Sequence, residues 1–390
     1  MIGIGGDDLI HLNKLNQANS TLILLIFILS SLFLSACAVK DQPKQKLPLN
    51  NEKTKVPAAS LSAEWKLPIT IPAGQGEFYK VAGWYTNQQI FYVTNLNQTS
   101  NLFLYNLLTG KSKLIYKTEN PIVNVQISPS KKYLLVHTSP SSYEGVVTII
   151  DAKGTELLKK TFPSYDLGFE WNPYNESKVL VTKFAEDWSF QLLLLDSRDD
   201  STTELNLPQP FIKWIRKDEI AYLNWNQTSP SLVAPLIFKQ LGNEGDKTVF
   251  SNLIQFAAYR NLLMTVTVNK GDSSIADYSF YDKEKKRLFS FSIPHLTKFS
   301  DWLVPFYDYS EQKKQFLTFR PLESGDMDTY TDGFQLISYD LKKGSSKLIL
   351  GGLDNVPISI SPSGDTALIG NNYEKIIDLN KKKSYELMKE

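Results

Sequence analysis

The chain has 390 residues and a formal net charge of +1. A balance this close to zero argues against a nucleic-acid partner, which needs a strong basic field. Aromatic residues make up 12%, with 19 Tyr and 21 Phe. That content suits pleated, half-buried surfaces and excludes a disordered chain, and the single Cys excludes an internal disulfide.

The first element is an apolar run, TLILLIFILSSLFL, at residues 21–34. Fourteen residues are too few to span a bilayer, which takes roughly 20, and the length fits the core of a secretory signal peptide. The run closes in Leu34-Ser35-Ala36-Cys37, which resembles the lipobox of bacterial lipoproteins: a Leu, two small residues, then Cys. The resemblance implies that residues 1–36 are removed and that the Cys37 thiol accepts diacylglycerol. It also implies a chain held at the extracytoplasmic face of a bacterial cell membrane. The leading segment departs from the pattern, because Lys14 and His11 are offset by Asp7 and Asp8. A short anchor with an incidental cysteine is the alternative.

Residues 37–65 are rich in Lys, Pro, Asn and small side chains and have no apolar period. They read as a flexible tether with a reach of roughly 30 Å. Lys40, Lys44 and Lys46 suit an anionic lipid surface or plain solvation equally. A folded domain is expected over 66–390, with KLPITIP (66–72) as an extra strand that helps to close it.

From about residue 79 one pattern recurs. A strand-like run ends in Asp or Asn, a polar turn follows, and an alternating strand returns. The closing residues are Asn106, Asp151, Asp196, Asp282, Asp340 and Asp378, spaced 45, 45, 86, 58 and 38 residues apart. Their side chains are expected to bond the following backbone amides and start the turns. The interval of 86 holds two units, one of which, within 212–253, lacks the signature. Two further strands precede each hairpin, as in IVNVQIS (122–128) and YLLVHTS (133–139). Four strands per unit of about 43 residues predict an all-β propeller of seven blades, with six as the alternative.

The joints ISPSKKYLLV and ISPSGDTALI resemble the SPDG-type turns of TolB-like and WD40-like propellers, and IFYVTN (90–95) is similar to the YVTN motif. Together with the lipobox and the tether, they resemble the YqgU-like β-propeller lipoproteins of bacilli. That family is described as six-bladed.

The mature chain offers little catalytic chemistry. It has no G-x-S-x-G elbow, no Cys/His metal spacing and, if Cys37 carries lipid, no free thiol. His137 sits in an alternating strand and reads as a blade residue; His295 lies in a Pro-flanked loop. A non-enzyme that binds a protein or cell-wall component is therefore expected, with no cofactor beyond the diacylglycerol. The alternative is a glycosidase-like hydrolase whose carboxylates meet on the central channel. Asp166, Glu170, Asp301 and Asp308 are the acids in or beside inner strands.

The loop PLESGDMDTYTDG (321–333) is a weak candidate for Ca²⁺ through Asp326, Asp328 and Asp332, but it lacks the sixth-position Gly and the twelfth-position Glu of an EF-hand. Loops joining second to third strands gather on one rim of a propeller. Three of them combine aromatic and acidic groups: Tyr143 with Glu144, Asp187 with Trp188, and Asp326 and Asp328 with Tyr330. They are the candidate binding surface. The plain alternative is that Trp188 and Tyr330 fold back into blade gaps.

Overall fold

The computed structural model describes residues 65–226, 228–229, 231–243, 245–298 and 301–388. The expectations for residues 1–64, including Leu34-Ser35-Ala36-Cys37 and most of the tether, lie outside them.

Among the described residues the only helix is one 3₁₀ turn, Ala73–Gln75. Seven four-stranded antiparallel meanders follow one another: 77–118, 122–163, 166–205, 213–253, 255–294, 307–353 and 358–386, blades 1 to 7. First strands of neighbouring blades touch at five seams, including that of blades 1 and 7. First-strand side chains bridge the other two, Gln126 to the Phe169 carbonyl and Tyr259 to Tyr309, so the first strand of each blade lines the axis and the ring is closed.

Burial along each blade explains the repeating pattern. The second strand has a neighbour on both edges and a blade over both faces. In blade 1 it therefore buries Ile90, Phe91, Tyr92 and Val93 completely, and the sequence there is an unbroken apolar run. The fourth strand, Lys111–Thr118, has one outer face and alternates. The core divides into seven apolar clusters, one at each seam between blades. No blade can bury its faces without its neighbours.

The turn-starting side chains act as expected. Asn106 accepts from the amides of Leu108 and Thr109 at 2.9 and 3.0 Å, and Asp378 from those of Asn380 and Lys381 at 3.0 and 2.9 Å. Asp151, Asp196, Asp282 and Asp340 repeat the arrangement. The third strand of blade 4 ends instead in Gln240, whose extra methylene removes it from this geometry. The missing signature is thus a change of turn, with the blade intact. Asp378 is buried, so Asp378→Ala is expected to lower stability by about 1–2 kcal/mol. Asp378→Asn, which keeps an acceptor, should cost less than half as much in urea unfolding.

Closure uses devices found at other seams. The Ser363 amide donates to Asn87 of blade 1 at 2.7 Å, much as the Ser130 hydroxyl of blade 2 donates to Glu176 of blade 3 at 2.5 Å. The segment 65–72 adds a seal, but KLPITIP does so through single contacts and one isolated bridge and not as the extra strand expected. The Lys66 amide donates to the Leu107 carbonyl of blade 1, and the Ile69 amide to the Leu387 carbonyl of blade 7, both at 2.7 Å. Ile69 also forms a parallel bridge with Met388.

The meander gives the ring two unlike ends. Connections from strand two to three and from blade to blade form the loop face. Connections from strand one to two and three to four form the turn face. Between blades 5 and 6 the loop face carries a small hairpin, Leu296–Lys298 with Asp301–Leu303, to which Gly325–Asp326 adds in parallel.

Candidate functional site

Exposed apolar side chains are sorted between the two ends. Seven of the thirteen large ones among the described residues lie in loop-face connections: Tyr143, Tyr165, Trp188, Phe211, Leu232, Phe306 and Leu322. Among the described residues none lies in a turn-face connection. Scattered exposed apolar groups need no explanation, but a one-sided concentration marks an interaction face.

The densest part spans blades 2 to 4. In the Ala185–Ser189 turn the Trp188 amide donates to the Ala185 carbonyl at 3.0 Å, and Asp187 accepts from the Ser189 amide at 2.9 Å. The Ser189 hydroxyl and amide hold the Asp187 carboxyl below the ordinary range, so Asp187 builds the turn. Trp188 takes a left-handed φ of 62° and remains 63% exposed. A bulky residue in that region carries a cost of roughly 1–2 kcal/mol, and here the ring stays mostly in solvent. Its edge meets Tyr165 at 6.0 Å and Phe184 at 5.9 Å, and Phe184 meets Phe211 at 6.0 Å. Phe184 is the buried base of this ledge, whereas Phe211 is 76% exposed. Beside the ledge lies a cleft of about 440 Å³ walled by Tyr143, Tyr165, Lys183, Glu186 and Gln191. Tyr143 is 61% exposed, and Glu144, half-buried, begins the next strand.

Tyr330 behaves differently from Trp188. Its hydroxyl donates to the Gly333 carbonyl at 2.6 Å and accepts from the Leu322 amide at 2.8 Å, and its ring meets Phe334 edge-on at 5.3 Å. Tyr330 is folded back and holds its own loop, as the plain alternative expected. Asp326, Asp328 and Asp332 are exposed, and Asp326 accepts from the Asp328 amide at 2.9 Å. Among the described residues no three His, Cys, Asp or Glu side chains are grouped to hold a metal ion.

The four candidate axial acids do not meet. Asp301 falls in the loop-face hairpin, not in an inner strand, because residues 295–306 form an insertion before blade 6 begins at Tyr307. Asp166 opens the inner strand of blade 3 and is exposed. Glu170, four residues on, pairs with Lys213 at 2.6 Å in a cavity of about 350 Å³ beneath Phe211. Burial pushes its carboxyl up, against the pull of Lys213. Asp308 borders a separate cavity of about 890 Å³ that opens on the turn face. There it accepts from the amides of Ile360 and Tyr309 at 2.6 and 2.7 Å. Burial nevertheless pushes the Asp308 carboxyl up to about 6. The other acid on that wall is Glu311, bound to the Asn261 amide side chain. His137 is buried edge-on to Phe169 at 5.3 Å, a blade residue with its pKa lowered by burial.

Comparison with known proteins agrees with this architecture. A family model described as a YqgU-like 6-bladed β-propeller domain matches residues 106–370. The chain is 27% identical over 367 residues to a protein of Bacillus subtilis (strain 168) named "Uncharacterized lipoprotein YqgU", covering 94% of this chain and 96% of that one. A crystal structure at 1.18 Å of an uncharacterized Listeria monocytogenes EGD-e protein (lmo1340) superposes with a TM-score of 0.75 at 24% identity, covering 80% of this chain and 95% of that one. The β-propeller domain of the Trilobed protease from Pyrococcus furiosus superposes with a TM-score of 0.53 at 12% identity, covering 80% and 98%. The two structures speak to fold alone. The matched span 106–370 contains blades 2 to 6 whole, with the last strand of blade 1 and the first two of blade 7. Seven four-stranded blades stand among the described residues where the family description counts six.

Proposed function

The chain belongs to the YqgU-like β-propeller family, and on that footing we propose that it is a lipoprotein whose propeller is a binding module. Diacylglycerol on Cys37 holds it at the outer face of a bacterial cell membrane, and the loop face engages a protein or cell-wall partner. Support for the anchor comes from Leu34-Ser35-Ala36-Cys37 and from the name of the Bacillus relative, which aligns over nearly the whole chain. The observation that carries the binding role is the aromatic ledge Tyr165–Trp188–Phe184–Phe211 beside a cleft large enough for side chains or a sugar unit. Aromatic anchors at the centre of an interface typically contribute 2 kcal/mol or more each, roughly a 30-fold change in affinity.

The test is photocrosslinking in intact cells from position Tyr143, with position Lys153 on the turn face as control. Both Trp188 and Phe211 are surface groups, so Trp188→Ala/Phe211→Ala is expected to melt like the wild type and lose the Tyr143 adduct. An adduct that persists at full yield in that variant removes the ledge from the partner site. Cys37→Ala is expected to abolish incorporation of labelled palmitate, and a wild-type chain that takes up none ends the anchoring claim.

A further inference from the structure

Charge as well as apolarity is sorted between the two ends of the ring. By sequence, the turn-face connections hold fifteen basic and nine acidic residues, a net of +6. The loop-face connections, with their small hairpin, hold eleven acidic and two basic residues, a net of −9. The chain as a whole is +1, so opposite charges have been drawn to opposite poles with no excess of either. The basic pole is open to solvent: Lys132, Lys153, Lys314, Lys342, Lys381 and Lys382 are exposed and form no ion pair among the described residues. With no exposed large apolar side chain among the described residues of these connections, the lysines make a surface that attracts anions and offers little to push into hydrocarbon.

The path of the chain supplies an independent observation. Trp65 rests edge-on against Tyr385 at 5.7 Å, and Lys66 is bound to Leu107 in the second turn-face connection of blade 1. By Gln75 the chain has climbed to the other end, where its carbonyl accepts from Thr94 at 2.5 Å, close to the loop at residues 97–98. Everything before Trp65, Cys37 included, is therefore joined to the propeller at its basic pole.

We propose that the turn face docks on the anionic phospholipid headgroups of the membrane that holds the anchor, so that the aromatic, acidic loop face is turned outward. The inference rests on the lipid anchoring proposed above. A lipid on a flexible tether fixes distance and leaves orientation free. The field of an anionic bilayer decays within about a Debye length, roughly 8 Å at physiological salt, so it acts on the near pole only. A protein with opposite charges at its two ends is oriented by that field: the lysines are drawn in and the acidic loops are repelled.

The experiment uses the mature lipidated protein, whose only cysteine carries the lipid, with one new thiol for a fluorophore at Lys343→Cys or at Tyr143→Cys. Each is bound to phosphatidylcholine vesicles, with or without phosphatidylglycerol, that contain a headgroup spin label as quencher. On anionic vesicles the turn-face probe is expected to be quenched several-fold more than the loop-face probe. High salt should abolish the difference, as should Lys131→Glu/Lys132→Glu/Lys381→Glu/Lys382→Glu. Equal quenching at the two positions, stronger quenching at Tyr143→Cys, or the same pattern on neutral vesicles overturns the docking. Failure to co-float with neutral vesicles overturns the anchoring; if the turn-face probe is still quenched on anionic vesicles, the docking stands without it.

Discussion

Trp84→Ala is expected to destabilise the propeller by about 3–5 kcal/mol, as much as Trp214→Ala. Both side chains are buried, at 5% and 1% exposure. Each also spans a seam with its indole N–H. Trp84 of blade 1 donates to the Ser359 carbonyl of blade 7 at 3.0 Å, and Trp214 of blade 4 to the Glu170 carbonyl of blade 3 at 3.2 Å. Truncation leaves a cavity and a carbonyl without its partner, and the two costs add. The comparison tests closure. If the seam between the chain's two ends is as firm as one in the middle, the two variants lose equal stability in urea and keep the wild-type slope. If that seam opens locally before the ring unfolds, Trp84→Ala costs well under half of Trp214→Ala. A loss below about 1 kcal/mol for Trp84→Ala would mean that the ring is not held shut there.

The blades were legible because the features that define them are local. A side chain that starts a turn two or three residues away, such as Asp340 with Lys342 and Lys343, leaves its mark in the sequence. So does a second strand buried on both faces. Blade 4 was found only by arithmetic, since Gln240 stands where its neighbours have Asn or Asp.

The ledge was half legible. Trp188 was identified from its place in a loop between second and third strands. Tyr165 and Phe211 were missed because they lie in connections between blades. Those connections open on the same face, so an exposed aromatic within them was a usable signal. Trp188 and Tyr330 could not be told apart beforehand. Both sit among aspartates in loops, and what separates them is tertiary: Phe334 for the Tyr330 ring, and Gly333 and Leu322 for its hydroxyl. Whether acids converge on the axis depends on where an insertion ends and an inner strand begins. Residues 295–306 carry no periodicity that marks that point, which is why Asp301 was placed wrongly.

Two buried groups should make the stability of this protein depend on pH in opposite directions over one window. Asp308 has its pKa raised to about 6 by burial, against an unfolded value near 3.9. Between those values the folded chain binds the extra proton, so this term favours folding below pH 4 and is lost as pH rises through 6. His295 is 3% exposed, stacks on Trp302 at 4.4 Å, and has no hydrogen-bond partner for either ring nitrogen among the described residues. Burial holds its pKa down at about 4, against roughly 6.5 when unfolded. There the unfolded chain binds the extra proton, so this term is present above pH 6.5 and is lost as pH falls towards 4. Each shift corresponds to about 3 kcal/mol, and with opposite signs the two largely cancel in the wild type. Removing either one exposes the other. Asp308→Asn is expected to gain stability relative to the wild type as pH rises from 4 to 6.5, and His295→Phe, which keeps the stacking, to lose it over the same range. Difference curves from urea unfolding at pH 4, 5, 6 and 7 remove the contributions common to all three proteins, including that of His137. If the Asp308→Asn curve runs parallel to the wild type, Asp308 titrates alike in the folded and unfolded chains, and its two backbone hydrogen bonds offset its burial.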